Sequence, residues 1–289
     1  MFMALIASVS LHLAAAGAAL PSSGAPLPAA ANTVPNSSWQ QVSPYDSPNY
    51  DDAAERELLE KANADRARAG LPPLKIDDGL VRAARAHAAE MAVQKSISHQ
   101  FPGEPSLIDR IAAVSDLHLE RAGENVAVAS DPDDAHDALM ASPPHRDNLL
   151  SPKFNVAGIG VFRQGHVIYV TQDFGMSMAT YSSQQAVEMI SSALEQMRMQ
   201  ARLPQLQQVN DIGMQSNACA MANADSLRAA TTDPGTYLLR YTTMAPQTIP
   251  TEASEVIANH AMRSFAVGTC YARTQHYPNG AYWVVVEFY

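Results

Sequence analysis

Three short polar stretches carry the residue types best suited to chemistry. Ser142-Pro143-Pro144-His145-Arg146-Asp147-Asn148 delivers a histidine and an arginine just ahead of an apolar segment. His99 stands in Ser98-His99-Gln100, and Glu124 stands between Gly123 and Asn125. Imidazole titrates near neutrality, so a histidine held in place can bind a cation or pass a proton. A carboxylate beside it raises its pKa. The heptapeptide also has a plainer use as a surface turn, because Pro sets φ and Asn and Asp tolerate tight backbone.

Deciding between these uses requires the elements that position them. Ala53 to Arg68 is charged and helix-prone, and breaks at Gly70-Leu71-Pro72-Pro73. Asp77-Asp78 suits the start of a second helix, with Leu80, Ala84, His87 and Met91 on one stripe. His87 and Glu90 have a spacing that metal ligands can use, yet on that stripe His87 reads as a buried core histidine. A looser region holds His99, Phe101-Pro102-Gly103 and Arg110, followed by a third helix near 132–142 and the SPPHRDN turn. Residues 156–162 and 166–174 read as strands joined by Arg163-Gln164-Gly165. Helices first and a hairpin last give an α+β layered domain.

After Gly175 the pattern begins again. Residues 183–201 are helix-like, and Leu203-Pro204-Gln205-Leu206 matches Leu71-Pro72-Pro73-Leu74. In that register Ile212 falls on Leu80 and Cys219 on His87. Residues 265–272 and 281–289 resemble the first hairpin. The reading is a duplication with a diverged second copy, the alternative being two unrelated helix-then-hairpin domains. The second copy keeps the framework and loses particular polar residues. It has Thr-Tyr-Leu-Leu-Arg-Tyr-Thr (236–242) near the place of Gly-Glu-Asn, and at best Ile-Ala-Asn-His-Ala-Met-Arg-Ser (257–264), with no Ser-Pro, in place of the heptapeptide. Polar residues a framework can do without are not needed for folding, which singles out His99, Glu124 and His145.

The ordered series of motifs, "LLEKANADRARAGLPPLKIDDGLVRAARAHAAEMA", "SHQ", "AGENVAVA", "SPPHRDNLLSPKFNVAGIGV" and "YVTQDFG", resembles the CAP superfamily in its bacterial SCP-domain form. These are the cysteine-rich secretory, antigen-5 and pathogenesis-related proteins. The resemblance covers about residues 53 to 176. It implies an α-β-α sandwich whose cleft is lined by His99, Glu124 and His145, with Asp137 as the nearest candidate for a further acidic position. Leu139 stands where the family usually has tryptophan.

Two imidazoles and a carboxylate that converge in such a cleft can hold Zn²⁺, or Ca²⁺, and leave a position open for water or ligand. Without metal they form an acid–base pair, or a polar network that stitches loops together. The favoured reading is a non-enzymatic extracellular binding module for a divalent cation or a small lipid or envelope-derived ligand. The alternatives are a metal-assisted hydrolase with Glu124 as base and His99 and His145 as ligands, and a purely structural network with the second domain as an interaction surface.

Composition narrows the classes further. The chain has 289 residues, 47% apolar and 17% charged, enough for two packed domains. A net charge of −10 and no basic run argue against nucleic acid and acidic membrane surfaces as partners. Residues 1–20 carry no charge and contain Ala16-Gly17-Ala18, so a signal peptide is expected, although no Lys or Arg precedes the apolar run. Export implies a secreted or periplasmic location and no transmembrane segment beyond the signal. A Pro/Ser/Ala-rich linker (21–52), a CAP domain (53–178) and a degenerate copy (179–289) complete the expected layout. In an exported chain the two cysteines, Cys219 and Cys270, suggest one disulfide, the alternative being two buried thiols. Asp131–Asp137 lacks the ligand alternation and central Gly of an EF-hand, no Gly-x-Ser-x-Gly occurs, and the methionines of 189–199 read as core.

Overall fold

The computed structural model describes residues 10–12, 47–230 and 236–289. The expected signal peptide and linker fall mostly outside the described residues. The chain divides into two compact units, Val34–Met178 and Met1–Thr33 with Ala179–Tyr289.

A three-residue strand, β1 (Ser10–His12), belongs to the second unit. The first unit runs α1 (Asp52–Arg68), β2 (Lys75–Ile76), α2 (Asp78–Gln94), α3 (Leu107–Val114), β3 (His118–Ala129), α4 (Pro132–Ala141), α5 (Pro143–Leu149), β4 (Val156–Gln164) and β5 (Val167–Met178). Side chains of Asp51, Asp77, Ser106 and Asp131 each accept a backbone N–H at the start of α1, α2, α3 and α4. The acidic 131–137 run is therefore a helix N-terminus. Arg110 lies on α3 rather than in a loose segment. The sheet order is β2-β4-β5-β3, so β3 is an edge strand.

Helices cover both faces of this sheet. On one side α2 lies so close to β4 that a Cβ on Gly158 would fall 2.0 Å from the Leu80 carbonyl carbon, and one on Gly160 2.2 Å from the Arg85 nitrogen. On the other side Leu58, Leu74, Ala135, Leu139, Leu149 and Phe154 pack with Ala127, Ile159, Val170 and Phe174. Leu139, at the position where tryptophan is usual in the family, is thus a core residue. The hairpin is longer than the sequence suggested: Arg163 and Gln164 belong to β4, and the turn is Gly165-His166, with Gly165 at φ 64°.

The second unit contains α6 (Ser183–Gln200), β6 (Gln207–Gln208), α7 (Ile212–Asn223), β7 (Tyr237–Thr243), α8 (Ser254–Ile257), β8 (Ser264–Ala272) and β9 (Ala281–Phe288). Its sheet order is β1-β7-β9-β8-β6. One core gathers Ile190, Leu239, Tyr241, Val284 and Phe288, and another gathers Met214, Met221, Leu238, Trp283 and Val285. A disulfide joins Cys219 on α7 to Cys270 on β8. A Cβ on Gly268 would lie 2.0 Å from the Met214 carbonyl oxygen. Gly160 meets Ala84 and Arg85 in the same way, which places Met214 on Ala84, Asn217 on His87 and Cys219 on Ala89. Read as a repeat, this contact moves the register expected from sequence by two residues.

Candidate functional site

The site forms along the edge strand β3, whose alternation sends Glu124 toward α2 and Asn125 toward α5. Pro143 occupies the first turn of α5, where its missing N–H costs nothing, so SPPHRDN starts a helix rather than forming an open turn. Asn125 Nδ2 donates to the His145 carbonyl at 3.0 Å and to Gln172 Oε1 at 3.2 Å. Asn148 Nδ2 donates to Asn125 Oδ1 at 3.0 Å and to the Glu124 carbonyl at 3.3 Å. These amides fasten α5 to β3 and set His145 at the edge; Arg146 is exposed.

On the α2 side, His99 Nδ1 lies 2.8 Å from Glu124 Oε1. The other oxygen, Oε2, pairs with Arg110 of α3. Arg110 Nη1 also donates to the carbonyls of His99, at 3.1 Å, and Pro105, at 3.3 Å. The His99 side chain is 60% exposed whereas that of Glu124 is 4% exposed, so the pair runs from the surface inward. A carboxylate only accepts, so Nδ1 of His99 carries the hydrogen and Nε2 is its lone-pair nitrogen. His145 is half-buried; burial, and then the charge His99 carries when protonated, hold its pKa below the ordinary imidazole value. His145 is therefore neutral at pH 7.

Beneath this pair lie groups the sequence did not single out. Asp173 on β5 stands directly opposite Glu124 in register and is fully buried. Burial first, and then the Glu124 charge, raise its carboxyl well above the ordinary range. Glu104 is buried against His87. His87 is fully buried as expected of its stripe, but it belongs to this polar cluster and lies 3.9 Å from Glu124 Oε2.

The structure thus brings His99, Glu124 and His145 to one edge. Asp137 is exposed on α4 and takes no part in these bonds. Among the described residues no group of three or more His, Cys, Asp or Glu side chains is arranged to hold a metal ion. Glu124 has both oxygens engaged, one by His99 and one by Arg110, and so offers neither to a cation. An isolated acid inside an apolar strand was the available signal for Asp173; its partner required the strand register.

A sequence model of the cysteine-rich secretory protein family, CAP, matches residues 59–174. The Bacillus subtilis (strain 168) protein YkwD, described as uncharacterized, is 34% identical over 121 residues, 42% of this chain and 47% of YkwD. The uncharacterized membrane protein YlbC of the same organism is 30% identical over 122 residues, 42% of this chain and 34% of YlbC. The chain therefore spans about half or less of the length of these curated relatives. A crystal structure of an extracellular SCP-domain protein from Bacillus anthracis str. Ames is 30% identical, with a TM-score of 0.39, over 42% of this chain and 40% of that one. Among the described residues no helix is long and apolar enough to cross a membrane.

Proposed function

We propose that this chain, whose residues 59–174 match the CAP family, is an exported bacterial CAP-superfamily binding module in which the paired imidazoles of His99 and His145 take a divalent transition metal. One observation carries this reading. A buried carboxylate, Glu124, holds Nδ1 of a largely exposed histidine and leaves Nε2 as the lone-pair nitrogen beside a second, neutral imidazole. A histidine oriented in this way is a preformed metal ligand. Bound there, the cation would supply Lewis acidity and open positions for water or a small ligand. Glu124 is occupied on both oxygens, and this favours binding over hydrolysis with Glu124 as base. Envelope-derived ligands belong to the same proposal as occupants of the open positions.

The second unit is proposed as a diverged copy that keeps the fold and lacks the site. Leaving aside β1, its sheet order β7-β9-β8-β6 follows β3-β5-β4-β2. Carrying the strand register across puts Leu238 in the place of Glu124, Leu239 in that of Asn125 and Glu287 in that of Asp173. Export rests on the N-terminal apolar run and Ala16-Gly17-Ala18.

The test is calorimetric titration of the chelator-treated chain with Zn²⁺ at pH 7.5. Zn²⁺ is expected to bind and to raise the melting temperature. His99→Ala and His145→Ala should each abolish this, and Glu124→Gln should weaken it by about 10–100-fold. Asp137→Ala should leave it unchanged. Binding that survives loss of both histidines would overturn the proposal.

A further inference from the structure

Two buried arginines give the two units a common frame. Arg66, at the end of α1, donates to the carbonyls of Pro72, Leu149 and Ser151. Arg198, at the end of α6, donates to those of Pro204, Ile257 and Asn259. Matching these contacts lays Met189 on Glu57, Ala193 on Lys61 and Met197 on Asp65, and lays residues 251–257 on α5. What the second unit lacks is α4. Residues 130–142 carry that helix between β3 and α5, whereas residues 244–250, with no helix, stand between β7 and Thr251. In the first unit α4 covers one face of α1. Its Ala135 and Leu139 share a core with Leu58 and Ala62, Asp133 pairs with Lys61, and His136 Nε2 lies 2.7 Å from Asp65 Oδ2. The same face of α6 is an open groove of about 570 Å³. Gln185, Glu188, Met189, Ser192, Ala193 and Gln196 of the helix line it, with Gln247 of the shortened segment. Three charged positions of α1 are thus methionine, alanine and methionine on α6. A face left to water gains nothing from that exchange; adaptable methionines around a small residue suit packing against another helix.

We propose that this face pairs with the same face of a second copy, α6 against α6 about a two-fold axis, so that the chain dimerises through its second unit. In the first unit the occupant of this face is a helix, and the helix that matches it here is α6 itself. A two-fold contact has to be self-complementary. Gln185, Ser192, Gln196 and Gln247 each donate and accept, so each can meet its own kind. With the axis at Ser192, an antiparallel pair sets Glu188 of one copy against Gln196 of the other. It also sets Gln185 against Met199, which is 66% exposed. The charged residues of α6 are Glu188, Glu195 and Arg198, and in that register none meets another charge. A chain of net charge −10 repels its copies over most of its surface, so a face with few charges is where two can approach. The diverged-copy reading supplies the template for this contact, and the metal reading has no part in it.

The test is sedimentation equilibrium of the full chain over a range of concentrations, with chelator present. A monomer–dimer equilibrium is expected. Ala193→Glu puts a charge at the centre of the contact and should leave monomers at every concentration, with an unchanged circular dichroism spectrum. Gln196→Glu sets two carboxylates against each other and should raise the dissociation constant about tenfold or more. Adding Glu188→Lys to it should restore association, a rescue that a folding defect would not show. Monomers throughout in the native chain, a dimer that Ala193→Glu leaves intact, or no rescue in the double variant would overturn the proposal. The groove would then be left to water or to a helix of another protein. Ala193→Glu should bind Zn²⁺ as the native chain does, and His99→Ala should still dimerise, so failure of one reading is distinct from failure of the other.

Discussion

Asp173 stands opposite Glu124 on the neighbouring strand and is fully buried, and only one of the two carboxyls can be charged at little cost. Its proton therefore has consequences for stability. The folded pKa is raised above the ordinary 3.8, so folded and unfolded chains are both protonated below that value. Above it the unfolded chain releases a proton that the folded chain retains, and stability falls as pH rises toward the folded pKa. Asp173→Asn replaces the acid by a neutral donor of the same shape. Thermal melts across pH 4 to 8 should show the native chain losing ground to the variant as pH rises. A native curve parallel to that of the variant would mean that Asp173 is charged. The grouping of His99, Glu124 and His145 at one edge was legible because each stands in a polar motif that the second half of the chain lacks. Asp173, Glu104 and Arg110 were not, because each looks ordinary in its own segment and acquires its partner only through strand register or a loop.

At the scale of elements, the break after α1 was legible as a Leu-Pro turn, but the device that fixes it was not. Arg66, at the end of α1, is almost fully buried. Its guanidinium donates to the carbonyl of Pro72, then to those of Leu149, 83 residues on, Ser151 and Phe154. Arg198, at the end of α6, does the same with Pro204, Ile257 and Asn259. No local pattern announces partners that are backbone oxygens so far along the chain. A planar fork of five donors suits several carbonyls at once, and an ammonium does not. Arg66→Met should strand buried carbonyls and destabilise the first unit by about 2–5 kcal/mol. Arg66→Lys should recover little of that, and urea denaturation followed by circular dichroism measures both. A loss below about 1 kcal/mol in Arg66→Met would show that water replaces the guanidinium. The glycines of β4 and β8 are the complementary constraint: they let α2 and α7 approach closely enough to set the site's depth in one unit and the core's in the other.

At the scale of the whole chain, the two units use different means to hold a helix against a sheet. In the first, α2 is tied to its surroundings by the polar cluster of His87, Glu104 and Arg110, which also serves the site. In the second, α7 is tied covalently to β8 through Cys219–Cys270. The bridge closes a segment with a sequence separation of 51. Its chain-entropy contribution for that length is about 4 kcal/mol. The first unit contains no cysteine, so reduction should act on one unit alone. Scanning calorimetry with and without reductant should show one transition shifting down by several degrees and the other fixed in position. Zn²⁺ should move only the transition that the reductant leaves in place, since the imidazoles and the bridge belong to different units. If both agents shifted one and the same transition, stability would be shared across the chain, and the proposed separation of the metal site from the bridged unit would fail.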